Sequence, residues 1–117
     1  MCFTLMLFDL DFFKHANDHY GHLFGDELLQ ETARRMLGAV RDVDITARIG
    51  GDEFLIFIES PLDSTPAVER IFSSLRCTCK GHPITVSMGV ARAPQDGMQF
   101  DELFHCADRA LYAAKQR

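Results

Sequence analysis

Three carboxylates and a pair of glycines carry the most legible chemistry of this sequence. In Ala47-Arg48-Ile49-Gly50-Gly51-Asp52-Glu53-Phe54-Leu55-Ile56-Phe57, two apolar runs flank Gly50-Gly51, and Asp52 and Glu53 stand just before a run apolar enough to be buried. A Gly-Gly pair in that setting predicts a hairpin, with residues 45–49 leading in, residues 54–58 leading out and positive φ at the turn. Carboxylates at the lip of a core strand are costly to desolvate unless they are paired or hold a cation. Glycine backbone, for its part, lets a bulky anion approach closely. The combination points to Mg²⁺ and phosphate. Asp9 is the third carboxylate. It ends the apolar run of residues 2–9 on the face of Phe3, Leu5 and Leu7, too far back to cap a following helix, whereas Asp11 stands where an N-cap would for a helix beginning at Phe12. If the hairpin neighbours the first strand, Asp9 and Asp52 come together as a shared divalent cation requires.

A second constellation lies between two helical stretches. Gly21 stops a short helix, and Gly25-Asp26 opens a longer one over residues 26–40, with Leu29, Ala33, Met36, Leu37 and Val40 as its inner face and Glu31 and Arg35 outside. Asn17, His22 and Asp26 surround that junction. An amide, an imidazole and a carboxylate can read a purine edge, and guanine offers N1–H and an N2 amine to a carboxylate. His15, His19 and His22 could be imagined around zinc, but no HExxH-type pattern completes them, so solvated or substrate-facing histidines are the better reading.

The remaining elements position these groups. Both faces of residues 2–9 are apolar, as in a central strand covered on two sides. Pro66 opens a helix with Val68, Ile71, Phe72 and Leu75 inward. Gly81-His82-Pro83 turns into a strand over residues 84–91, and residues 94–97 form a turn. A last helix has Asp101 and Glu102 in its first turn and Leu103, Ala107, Ala110, Leu111 and Ala114 buried. Lys115 and Arg117 fall near its end, where the helix dipole alone would account for them. The order is β-α-α-β-β-α-β-α, an α+β fold with a mixed, largely antiparallel sheet flanked by helices.

At 117 residues the chain reads as a single domain. A net charge of −5 gives no attraction to nucleic acid or anionic membrane. No apolar run approaches the ~20 residues of a membrane helix. Cys2, Cys77, Cys79 and Cys106 form no CxxC pair, and Cys2 and Cys106 read as reduced core thiols, as in a cytoplasmic protein.

Several motifs in one order resemble the GGDEF domain family, the diguanylate cyclases that join two GTP molecules into cyclic di-GMP. They are Asp9-Leu10-Asp11-Phe12-Phe13-Lys14, the stretch from Asn17-Asp18-His19-Tyr20-Gly21-His22 to Gly25-Asp26, Arg41-Asp42-Val43-Asp44, Arg48-Ile49-Gly50-Gly51-Asp52-Glu53-Phe54, Ser87-Met88-Gly89-Val90-Ala91, and residues 107–115. The resemblance implies a nucleotide-cyclase, palm-like sheet. It implies Mg²⁺, or Mn²⁺ in its place, on the Asp9 and Asp52 side chains and the Leu10 carbonyl. Asp52 would deprotonate the attacking 3′-hydroxyl, with Glu53 as helper. Asn17, His22 and Asp26 would hold guanine, and Lys14 and Lys115 would neutralise phosphate. Arg41 and Asp44 match an inhibitory site for the product, to which Arg70 or Arg76 would add a second arginine. Turnover would require a homodimer, each copy holding one GTP. The family's helix before the first strand and the strand after the last helix are missing, so residues 1–117 read as a domain core cut short at both ends. The intact signature favours an enzyme over a receptor module that binds cyclic di-GMP or GTP without turnover. A purely structural domain would leave Asp9, Lys14, Asn17 and Asp52 unexplained.

Overall fold

The computed structural model describes residues 2–116. The elements are β1 (Cys2–Leu10), α1 (Phe13–Tyr20), α2 (His22–Ala39), β2 (Ile45–Arg48), β3 (Glu53–Ser60), α3 (Thr65–Leu75), β4 (Cys77–Cys79), β5 (His82–Ile84), β6 (Val86–Ala93) and α4 (Phe100–Lys115). Four strands form one sheet in the order β2-β3-β1-β6, and every pairing in it is antiparallel.

β1 is central because it is apolar on both faces. Met6, Phe8 and Leu10 point to one side, where Phe24, Leu28 and Met36 of α2 and Ile71 and Leu75 of α3 cover them. Leu5 and Leu7 point to the other, beneath Leu103, Ala107 and Leu111 of α4. Each fully buried Leu or Phe contributes about 1.5–3 kcal/mol of transfer free energy, so a strand loaded on both faces fixes its register. That register sets Asp9 opposite Glu53 on one side and Ser87 on the other. Asp9 continues the Leu5 and Leu7 face, as its place in the alternation predicts.

Several local expectations are corrected. An extra hairpin, β4–β5, precedes β6, so the order is β-α-α-β-β-α-β-β-β-α. Its turn is Lys80-Gly81, with φ of 50° and 82°, and Pro83 in its second strand disguised it in the sequence. The main hairpin does not turn on two residues with positive φ. Arg48 pairs with Phe54, Ile49 and Gly50 both donate to the Glu53 carbonyl, and neither Gly50 nor Gly51 is among the glycines at positive φ. α2 begins at His22, not at Gly25-Asp26, because Gly21 at φ 93° both ends α1 and starts α2. Asp26 is therefore the fifth residue of that helix and not part of its first turn. The inner face of α2 is Phe24, Leu28, Thr32, Met36 and Ala39, and Leu37 is exposed. Cys2 and Cys106 are half-buried rather than core thiols. Arg117 lies outside the described residues.

Candidate active site

The carboxyl end of β1 and the start of β3 meet at one corner of the sheet. Asp9 is only 7% exposed there, with Glu53 directly across the ladder and Asp52 one residue before it. Cross-strand partners share a face, so Asp9 and Glu53 both face α4. Burial raises the pKa of Asp9. Lys115 opposes that rise, while the charges of Asp52 and Asp11 add to it. Glu53 is also raised, first by burial, then by Asp108, Asp9 and Asp52. The cluster holds more negative charge than its surroundings stabilise.

Lys115 Nζ donates to Asp9 Oδ1 at 2.7 Å. Burial works against the ammonium, but its hydrogen bond to Asp9 and the charges of Asp9, Asp52 and Asp11 outweigh that and raise its pKa. Its placement follows from helix periodicity. Leu103, Ala107, Leu111 and Lys115 step by four, so Lys115 continues the buried stripe at the end of α4 and descends onto the sheet. The helix dipole is thus a secondary explanation for this lysine. α4 lies exceptionally close to β6 at Gly89, where a Cβ would stand 2.0 Å from the Ala107 carbonyl oxygen and 2.4 Å from the Leu111 nitrogen.

Asp11 is not the N-cap that its position suggested. Phe12 occupies the cap position at φ 59° without a side-chain cap bond, and α1 starts at Phe13. The Asp11 carboxylate instead accepts from Thr85 Oγ1 at 2.7 Å and Ser87 Oγ at 2.6 Å, and its N–H donates to the Thr85 carbonyl. It fastens the β1–α1 turn to β6. A bulky residue at positive φ is strained by about 1 kcal/mol or more; here it turns the chain from β1 into α1 within two residues. The first amide N–H groups of α1, which no helix satisfies internally, follow β1 by two residues. Lys14 is exposed in that first turn.

On the other arm of the turn, Arg48 donates through Nε and Nη2 to the Gly51 carbonyl at 3.0 and 2.6 Å, and through Nε to that of Gly50 at 3.1 Å. It braces the loop that presents Asp52. Nothing in the spacing announced that role; an arginine before two glycines is the signal that was available.

Asn17, His22 and Asp26 come together at the α1–α2 junction. His22 and Asp26 are one turn apart on α2, and Asn17 packs so tightly on Gly25 that a Cβ there would fall 2.0 Å from Asn17 Oδ1. His22 and Asp26 are exposed and Asn17 is half-buried. The rings of His15 and His19 stack 5.6 Å apart.

Arg41 and Asp44 are not part of this corner. Arg41 Nη2 contacts Asp44 Oδ1 at 2.9 Å and the Glu59 carbonyl at 2.8 Å. Glu59 pairs with Phe3, six residues along β3 from Glu53, or roughly 20 Å at the rise of a strand. With Val43 and Pro61 the pair lines a shallow cavity of about 280 Å³. Arg70 Nη1 donates to the Ala39 carbonyl at 2.7 Å, near this loop, whereas Arg76 lines a different cavity beside Cys77 and Pro83.

The donor set at the carboxylate corner suits a hard cation. Asp9, Asp52 and the Leu10 carbonyl offer only oxygen donors, the kind Mg²⁺ takes, and the charges of Asp52 and Asp11 bear on Asp9 beside its single ammonium partner, Lys115. Among the described residues no three His, Cys, Asp or Glu side chains gather into a metal site by themselves. Remaining positions would therefore fall to backbone, water and phosphate. None of the described helices is long and apolar enough to cross a membrane.

The family model described as "Diguanylate cyclase, GGDEF domain" matches residues 1–117. The chain is 41% identical to the bifunctional diguanylate cyclase/cyclic di-GMP phosphodiesterase MucR of Pseudomonas aeruginosa, over 98% of the chain and 18% of MucR. It spans well under half the length of the curated relatives it matches. The crystal structure of the GGDEF domain of YfiN (TpbB) from Pseudomonas aeruginosa superposes with a TM-score of 0.90 at 30% identity, covering 99% of this chain and 78% of that one. The GGDEF domain of DgcB from Caulobacter crescentus, solved with c-di-GMP, gives 0.81 at 30% identity, covering 98% and 72%.

Proposed function

The chain belongs to the GGDEF domain family, and from that premise we propose that it condenses two GTP molecules into cyclic di-GMP and two pyrophosphates. The observation that carries this reading is the corner where buried Asp9 feels the charges of Asp52 and Asp11, faces Glu53 across the ladder and pairs with Lys115 at 2.7 Å. Such a cluster is unfavourable for the fold alone and is suited to a divalent cation and phosphate. Asp9, Asp52 and the Leu10 carbonyl would hold Mg²⁺, or Mn²⁺ in its place, which would supply a lowered pKa for the attacking hydroxyl and relief of charge on the pyrophosphate.

The chain's own groups do the rest. Asp52 takes the proton of the ribose 3′-hydroxyl, with Glu53 beside it. The raised pKa of Glu53 suits it to receive or return a proton. Lys14 and Lys115 neutralise phosphate, and the open N–H groups at the start of α1 add to them. Asn17, His22 and Asp26 hold guanine, with Asp26 accepting from N1–H and the N2 amine. One copy holds one GTP, so the ring closes only between two copies facing each other, each supplying a 3′-hydroxyl and an α-phosphate. A nucleotide supply of this kind places the reaction in the cytoplasm.

Product feedback is part of the same reading. DgcB binds c-di-GMP in its crystal structure. Here Arg41 and Asp44 stand roughly 20 Å from the carboxylates, with Arg70 nearby; an arginine can fork onto phosphate and an aspartate can accept from guanine. Cyclic di-GMP would part the Arg41–Asp44 pair and take one partner on each group. Calorimetric titration with GTP and with ATP in the presence of Mg²⁺, followed by chromatography of the products, tests the whole. GTP should bind about fivefold or more tighter than ATP, since adenine covering Asp26 leaves the carboxylate without its donors at a cost of about 1–3 kcal/mol. Cyclic di-GMP should accumulate. Equal affinity for the two nucleotides would remove the guanine assignment, and binding without product would make the chain a receptor.

A further inference from the structure

Lys115 and the expected divalent cation would draw on the same buried carboxylate. Lys115 Nζ sits 2.7 Å from Asp9 Oδ1 and takes up part of the negative charge that a cation on that carboxylate would need. Two cations on one carboxylate repel each other, so each weakens the other's hold. Asp9 cannot give way, because it is 7% exposed and locked in register between Glu53 and Ser87. Lys115 can. It is the last residue of α4, its side chain is 38% exposed, and four methylenes let the ammonium swing while the helix stays seated.

We propose that Lys115 is a resident counter-ion that holds Asp9 until nucleotide arrives, so that the metal binds well only together with a triphosphate. Metal alone must displace the ammonium from Asp9 onto water or onto carboxylates that the metal's own charge is already weakening as partners. A nucleotide offers one: phosphate oxygens receive Lys115 as the metal takes Asp9. The two ligands then favour each other by the same factor in either order. The exchange deepens the cyclase reading and rests on its metal and phosphate assignments, though not on turnover. It also explains how the fold tolerates Asp9 beside Asp52 and Asp11 before any metal is present.

The test measures free Mn²⁺ by electron paramagnetic resonance, with MnCl₂ as the only ligand and then with GTP added. Parent, Lys115→Met, Lys115→Gln and Lys115→Arg proteins are compared, with thermal unfolding run alongside. Without nucleotide, the Met and Gln proteins should bind Mn²⁺ about five- to tenfold tighter than the parent, the worth of removing one partly solvated ammonium from a carboxylate. The Arg protein should resemble the parent. GTP should sharpen Mn²⁺ binding in the parent far more than in the Met protein, and Mn²⁺ alone should raise the unfolding temperature of the Met protein more than that of the parent. Mn²⁺ affinities unchanged or weakened in both the Met and Gln proteins would overturn the exchange, even if the parent makes cyclic di-GMP. Tighter Mn²⁺ binding by those variants, with no GTP binding by any protein, would uphold the competition for Asp9 and sink the cyclase reading instead.

Discussion

Gly89→Ala separates packing from positioning. The added Cβ would stand 2.0 Å from the Ala107 carbonyl oxygen, 2.4 Å from the Leu111 nitrogen and 3.0 Å from the Leu111 Cα. All three atoms are backbone, so no side chain can rotate out of the way. Bringing the closest contact from 2.0 Å to even 3.0 Å moves α4 about 1 Å away from the sheet at that point. A helix transmits such a shift along its axis, and Lys115 lies eight residues beyond Ala107, about 12 Å at the helical rise. The base of Lys115 would shift with the helix, so its side chain would have to extend to keep the 2.7 Å contact with Asp9, and its reach to phosphate would change. Overpacking of this kind costs about 1–3 kcal/mol, and a 1 Å misplacement near reacting groups costs about a hundredfold in rate. Thermal unfolding and initial cyclase velocity, both taken well below the variant's midpoint, give the two readouts. A lower midpoint with parental velocity in the folded fraction would show that α4 packs on Gly89 without positioning Lys115. Parental values of both would refute the close-contact reasoning altogether.

Asp52→Asn should cut cyclase velocity more than a hundredfold, as loss of ~3 kcal/mol at the transition state implies, and yet raise the unfolding temperature slightly, because it removes a charge that repels Asp9 and Glu53. A variant that is both active and less stable contradicts both halves. Arg41→Ala should weaken inhibition by added cyclic di-GMP and leave initial velocity near the parent's; unchanged inhibition would reduce Arg41 to a surface charge tied to Asp44 and Glu59. The metal-free protein should also become more stable as pH falls through the raised carboxylate values towards the ordinary carboxylate range. Asp9 and Glu53 have raised pKa values when folded, so the native state binds more protons than the unfolded chain between the ordinary carboxylate value near 4 and the raised values, and stability falls as pH climbs through that window. Glu31 and Asp63 are shifted the opposite way but are solvent-exposed, so they oppose the trend weakly. Unfolding midpoints measured from neutral pH down to about pH 4 check the sign, and Asp9→Asn should flatten the slope.

The sheet was legible because burial on two faces leaves an unmistakable pattern. Residues 2–9 alternate apolar side chains on both sides, which no solvent-facing strand does, and the structure makes them the central strand. From that strand and the hairpin the approach of Asp52 to Asp9 followed; that the ladder sets Glu53 directly opposite Asp9 did not. What escaped were contacts that depend on the third dimension at single residues. Asp11 looked like a cap because caps are local, whereas its true partners, Thr85 and Ser87, lie more than seventy residues away. Gly25 looked like a helix start because glycine usually punctuates; it sits inside α2 because Asn17 occupies the space of its missing side chain.

Lys115 shows where the two kinds of signal meet. By composition it was a cation at a helix end, and the dipole explained it sufficiently. By period it was the fourth member of the stripe Leu103, Ala107, Leu111, and a polar residue on a buried stripe needs a partner on the surface it faces. The sheet beneath that stripe ends at Asp9, on the same face as Leu5 and Leu7. Periodicity on α4 and alternation on β1 therefore point two opposite charges at one another across 106 residues of chain, and the contact of 2.7 Å is where they converge. A pair built in this way depends on the packing of both elements, which is why a methyl group at Gly89, touching neither residue, is expected to disturb it.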